Sequence, residues 1–147
     1  MLSTGNFRRY VLPAIVILAV VGLTAAQDGV GTWKDNDTGL TWATKDNGME
    51  ITQGEARSYC ASLKAGGLEW RLPTIEEVEA IYDKDKKPIR IKGTIELSEP
   101  RCVLTSSTNR TGDIWTFCFS NGSKNLGGGS GSCGTQSLAL CVSGESK

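Results

Sequence analysis

The chain has 147 residues, room for a single domain, and carries 16 basic and 16 acidic residues but no histidine. The missing histidine excludes Ser-His and Cys-His nucleophile activation and every histidine metal site. The charge balance excludes the broad basic surface that nucleic acid requires.

Arg8 and Arg9 head an uncharged run from Tyr10 to Gln27 that is rich in Val, Ile and Leu and leaves through Thr24-Ala25-Ala26. A basic head, a short apolar middle and a small-residue exit describe a secretory signal peptide over residues 1–26. The alternative is an uncleaved membrane anchor, since about 20 apolar residues span a bilayer. Pro13 and the small exit favour cleavage, which predicts one domain over residues 27–147, exported to the periplasm, cell surface or medium. Only the anchor reading gives the chain a membrane partner. Cleavage takes two arginines and no acids from the 16 and 16, leaving 14 basic and 16 acidic residues and a net charge of −2. The local basic run Lys84, Lys86, Lys87, Arg90 and Lys92 reads as a solvated loop. Five cysteines in a small exported chain predict disulfides and leave at least one thiol over.

Residues Gly31 to Ala43 read as a hairpin, with Trp33 and Trp42 on its arms and Asp35-Asn36-Asp37-Thr38-Gly39 at its turn. The two tryptophans are expected to pack in or at the rim of the core. Asp35 to Thr38 also resembles a cation loop, but the full calcium-loop pattern is absent and a plain turn explains it. Thr52 followed by Glu55 is a capping box, and Ala56, Cys60 and Leu63 share one helical face. Gly66-Gly67 supplies the stop. Thr74 and Glu77 repeat the box for a second helix, with Ile75, Val78, Ile81 and Tyr82 as its buried stripe. The acids Glu76, Glu77 and Glu79 then complement a positive helix end and need no chemistry. Between the helices, Trp70-Arg71-Leu72-Pro73 predicts a structural turn in which Arg71 is tied to backbone carbonyls or an acid.

Residues 83–100 are polar and broken by Pro88 and Pro100, which predicts a long loop with a short strand near Ile89–Ile91. Strand patterns follow at Cys102–Ser107, Ile114–Phe119 and Leu138–Val142. In the middle one, Trp115, Phe117 and Phe119 alternate onto one face and Thr116 and Cys118 onto the other. Asn121-Gly122 marks a turn, and Gly127–Ser132 a flexible loop. The fold class is α+β: a hairpin, two helices and a terminal antiparallel sheet.

The segments Glu55-Ala-Arg-Ser-Tyr-Cys-Ala-Ser-Leu, Trp70-Arg-Leu-Pro-Thr and Glu76-Glu-Val-Glu-Ala-Ile resemble the bacterial domain named for the C-terminal part of the Legionella collagen-like adhesin. Asp37-Thr-Gly-Leu-Thr-Trp42, Asp46-Asn-Gly48, Ser106-Ser-Thr108 and Leu140-Cys-Val142 agree with it, so the likeness runs from about Gly31 to Val142. That family is similar to the C-type-lectin-like fold, which implies an outer bridge from Cys60 on the first helix to Cys141 at the end. It also implies an inner bridge from Cys118 to Cys133, making Cys102 the free or intermolecular thiol. The residues alone leave Cys102 open to Cys118 or Cys133. The acidic motifs with which calcium-dependent sugar-binding members hold their ion are missing, so calcium-independent folding and binding are expected.

The resemblance implies an adhesion or binding module for a glycan or protein surface, with no cofactor and no enzymatic activity. A structural subunit of an envelope complex is the second reading. The adhesin's terminal domain is implicated in binding sulfated glycans, an expectation weakened here by the net charge. Thr105–Asp113 and Gly122–Ser132 are rich in Ser, Thr, Asn and Gly and form the candidate ligand surface, with Arg110, Lys124 and Asn125 as its leading residues.

Overall fold

A computed structural model describes residues 29–127 and 136–145. Strands β1 (Thr32–Lys34) and β2 (Thr41–Ala43) form the expected hairpin, in the register Trp33 opposite Trp42. Its turn is closed by the buried Asp35, whose carboxylate accepts from the Asp37 amide and, at 2.6 Å, from the Thr38 hydroxyl. Strand β3 (Ile51–Thr52) runs into helix α1 (Gln53–Ser62), and both halves of the Thr52/Glu55 capping box are formed. A 3₁₀ turn (Ala65–Gly67) ends this unit, with Gly66 and Gly67 at φ of 60° and 67°, where glycine alone is unstrained.

Helix α2 (Ile75–Ala80) opens with the second capping box, Thr74/Glu77, and lasts six residues. Three antiparallel strands follow: β4 (Cys102–Thr108), β5 (Ile114–Cys118) and β6 (Ser123–Gly127), in the spatial order β4-β5-β6. Strand β7 (Gln136–Ser137) pairs with β3. Strand β8 (Val142–Ser143) pairs with β2 and brings the end of the domain back to its beginning. The mixed helix and sheet architecture matches the α+β expectation.

Two apolar clusters fill the interior. One joins Trp42, Val78, Ile81, Phe117, Phe119 and Leu140. The other sits beneath α1, where Ala56, Cys60 and Leu63 meet Trp70, Leu72, Leu104 and Cys141. The β5 alternation holds: Phe117 and Phe119 pack edge-to-face at 5.0 Å, and Phe117 meets Tyr82 in the same way at 5.5 Å. Trp33 is partly buried beside Gly93, so close that a β-carbon there would come within 2.3 Å of the indole ring.

Several expectations need correction. Residues 123–127 were expected as part of a loop but form β6, because every residue from Ile114 to Cys118 finds a partner there. Strand β4 bears out the expected strand pattern at Cys102–Ser107 and runs on to Thr108, so the first part of the candidate surface Thr105–Asp113 is strand. In the polar stretch 83–100, the strand near Ile89–Ile91 is reduced to one bridge, Tyr82 to Ile91. That stretch nevertheless buries Ile91, Ile95 and Leu97 in the larger cluster.

The bridge Cys60–Cys141 is present, with 81 residues of separation. The second bridge is Cys102–Cys118, which overturns both the Cys118–Cys133 pairing and the free thiol at Cys102. The cause is register. Cys102 and Cys118 stand directly opposite each other on β4 and β5, with α-carbons 4.0 Å apart. Cys133 lies outside the described residues, as does the expected signal segment 1–26. Among the described residues no helix is long and apolar enough to cross a membrane.

Candidate functional site

Arg71 shows how the inter-helix motif is spent. Its guanidinium donates two hydrogen bonds to the Glu77 carboxylate at 2.7 and 2.8 Å, two to the Gly144 carbonyl and one to that of Leu72. All five N–H donors are consumed, so Arg71 has none left for a ligand. The bond to Glu77 raises its already high pKa. Glu77 is buried and accepts from the Thr74 amide as well, so one carboxylate both caps α2 and anchors the chain end. The Trp70 indole donates to the Ala65 carbonyl at 3.0 Å. The motif is structural, as expected.

The three leading ligand candidates are spread over the third sheet. Arg110 is exposed at the tip of the β4–β5 turn. Asn109 builds that turn: its carbonyl oxygen accepts from the Thr111 amide, the Thr111 hydroxyl and the Asp113 amide, and its NH₂ donates to Asp113 at 2.9 Å. Bonds from Thr111, then Asn109, hold the Asp113 carboxyl below its usual range. Lys124, opposite Phe117 on β6, is exposed and paired with Glu79 of α2 at 3.1 Å. Asn125 is its neighbour on the strand, so their side chains leave opposite faces. The Asn125 amide is directed to the Cys118 sulfur at 3.6 Å and the Ser123 hydroxyl at 3.3 Å. Lys124 and Asn125 therefore point apart, and Arg110 stands on a separate turn.

A concavity does exist on the opposite side of the second cluster. The outer face of α1 and the lip before β3 border a wide, open groove of about 660 Å³, whose lining includes Asn47, Met49, Ile51, Glu55, Ser58 and Tyr59. Met49 is 65% exposed, the most exposed large apolar side chain described. Gly54 forms part of the floor, and a β-carbon there would meet nothing within 4 Å.

The lip is firmly held. Asp46 accepts from the Gly48 and Ser98 amides, both at 2.6 Å, and from the Ser98 hydroxyl at 3.0 Å. Asn47 and Ala139 exchange two bonds, Asn47 Oδ1 accepting at 2.8 Å and the Asn47 amide donating at 3.2 Å. Burial, and then the charge of Asp46, push the Tyr59 phenol above its usual pKa, so it stays a neutral donor. The groove went unread in the sequence because Gly54, Ser58 and Tyr59 pass for the polar side of an amphipathic helix. Met49, isolated between Gly48 and Glu50, was the available signal.

The Lcl C-terminal domain model matches residues 31–142. The chain belongs to the Lcl C-terminal domain family. Both helices and both disulfides of this Lcl C-terminal domain fall within the matched span, as do the groove and the Arg110 turn. No curated protein and no solved structure matches the chain.

Proposed function

We propose that this Lcl C-terminal domain is an exported, non-catalytic binding module for a glycan or protein surface, working without calcium. The carrying observation is the groove beside α1, an apolar concavity with a rigid lip on a scaffold closed by two disulfides. The disulfides support export, because such bonds persist in oxidising compartments. The outer bridge supports a likeness to the C-type-lectin-like fold, while the inner bridge departs from the pairing that likeness implies.

The absence of catalysis is supported by the missing histidine and by the saturation of Arg71. Calcium independence is supported by the carboxylates best placed to hold an ion. Asp35 and Asp46 spend both oxygens on amides and hydroxyls of the protein itself, and Asp113 spends one. A cation would have to displace those donors and gather about six to eight oxygens.

The test is a screen of the oxidised chain against an array of glycans and a panel of immobilised extracellular proteins, with calcium and with chelator. Saturable binding that survives chelation is expected. Binding that vanishes with chelator, or turnover of any arrayed ligand, refutes the reading.

A further inference from the structure

The polar groups around the groove are already committed. The Asn47 amide donates to the Met49 carbonyl and accepts from the Ala139 amide. Ser58 donates to the Gly54 carbonyl at 3.1 Å and Ser62 to the Tyr59 carbonyl at 2.8 Å. One Glu55 oxygen takes both the amide and the hydroxyl of Thr52. Among the lining side chains, the Tyr59 hydroxyl and one of the two Asn47 side-chain N–H groups are the donors without a partner among the described residues. A sugar is held by several donors and acceptors converging on adjacent hydroxyls, and here most of the lining donors are already turned to the backbone. What the groove offers is apolar surface from Met49, Ile51 and Tyr59, where Met49 can adapt its shape to a guest.

Its charge is one-sided. Glu55 is the charged residue in the lining, and the exposed Glu50 stands between the lining residues Met49 and Ile51. Hydrogen bonds from Thr52 keep the Glu55 carboxyl below its usual pKa and hence ionised. An apolar slot with one carboxylate in its lining and a second on the residue next to it is complementary to an apolar side chain flanked by lysine or arginine.

We propose that the groove receives an apolar side chain from a basic segment of a partner protein. This deepens the binding-module reading and rests on it. The apolar guest supplies affinity by leaving water, while Glu50 and Glu55 select its neighbours and speed encounter.

The floor provides a clean probe. Gly54 lies in α1 with open space beyond it, so Gly54→Leu fills the groove without touching the fold. The oxidised, ¹⁵N-labelled chain is titrated with acetyl-Lys-Lys-Leu-Lys-Lys-amide, with its Leu→Ser and all-Lys→Glu analogues, and with chitotetraose. The leucine peptide is expected to shift the amides of Met49, Ile51, Gly54 and Tyr59. The serine analogue should bind at least about tenfold more weakly, since burying a leucine is worth a factor of that order, and the glutamate analogue should bind several-fold more weakly through charge repulsion. Gly54→Leu should abolish the shifts at unchanged melting temperature, and Glu50→Lys should weaken them several-fold. Shifts in Gly54→Leu equal to those of the parent chain overturn the inference. So do groove shifts with chitotetraose alone, a result that leaves the binding module standing and makes its ligand a glycan. Failure of every probe to move these amides overturns it too, and the array screen then judges the broader reading by itself.

Discussion

Removing the two disulfides separately should reveal which one carries the fold. Cys60–Cys141 closes a loop with 81 residues of separation and Cys102–Cys118 one with 16. In the chain-entropy model the first restrains the unfolded state by about 4.5 kcal/mol and the second by about 3 kcal/mol. All four cysteines are buried, so replacement by alanine removes comparable packing at each bridge and leaves the difference in loop length to dominate. The double variant Cys60→Ala/Cys141→Ala is therefore expected to lose about 1.4 kcal/mol more than Cys102→Ala/Cys118→Ala, both in a Cys133→Ala background that prevents thiol exchange. Urea denaturation followed by tryptophan fluorescence measures both, with Trp42 and Trp70 as buried reporters. A small domain has only about 5–15 kcal/mol to lose, so the outer variant should be marginal. An inner variant as unstable as the outer one refutes the reasoning and places the contribution in native packing at β4 and β5.

Three further outcomes are expected. Gly93→Ala should cost roughly 2–4 kcal/mol, because its β-carbon meets the Trp33 ring at 2.3 Å on a backbone with φ of 68°, and thermal melts will measure it. Carboxyl NMR titration should find Asp113 and Glu55 protonating below their ordinary values. Both carboxyls are depressed in the folded state, so their stabilisation is present above the unfolded pKa values and lost as pH falls through the folded ones. Finally, peptide mass mapping should recover Cys102 bonded to Cys118 and Cys133 outside both bridges; Cys133 disulfide-bonded to Cys118 or Cys102 as the main species would refute the register argument.

Legibility in the sequence follows the range of the interaction. Both capping boxes were readable because Thr52/Glu55 and Thr74/Glu77 act across three residues. The Trp115, Phe117 and Phe119 alternation was readable because its period belongs to one strand. The partner of Cys118 was not, since it depends on the register of β4 against β5, with a shift between Leu104 and Thr108. Strand β6 was hidden for the same reason: Ser123-Lys-Asn-Leu-Gly127 has no β-type pattern and is made a strand by β5 alone. Ile91, Ile95 and Leu97 keep a two-residue period, but the charged, proline-broken stretch around them reads as a loop, so their burial was not apparent. The family likeness supplied Cys60–Cys141, which the residues could not. It failed for the inner bridge, where this chain pairs its cysteines differently.

The same distinction separates the two candidate surfaces. The Arg110 turn is held by bonds spanning two to four residues, which fix its own shape and little else. The groove is held by bonds that reach across the chain, 52 residues from Asp46 to Ser98 and 92 from Asn47 to Ala139. Its floor lies on the helix that the Cys60–Cys141 bridge fastens to the far end of the domain. Walls tied to distant parts of the core are positioned before a ligand arrives, so binding there incurs little ordering cost. A local turn bearing one exposed cation is suited instead to steering an encounter, through an electrostatic contribution that added salt would screen. On the proposed reading affinity belongs to the groove, and the Arg110 turn contributes at most to the rate and choice of partner.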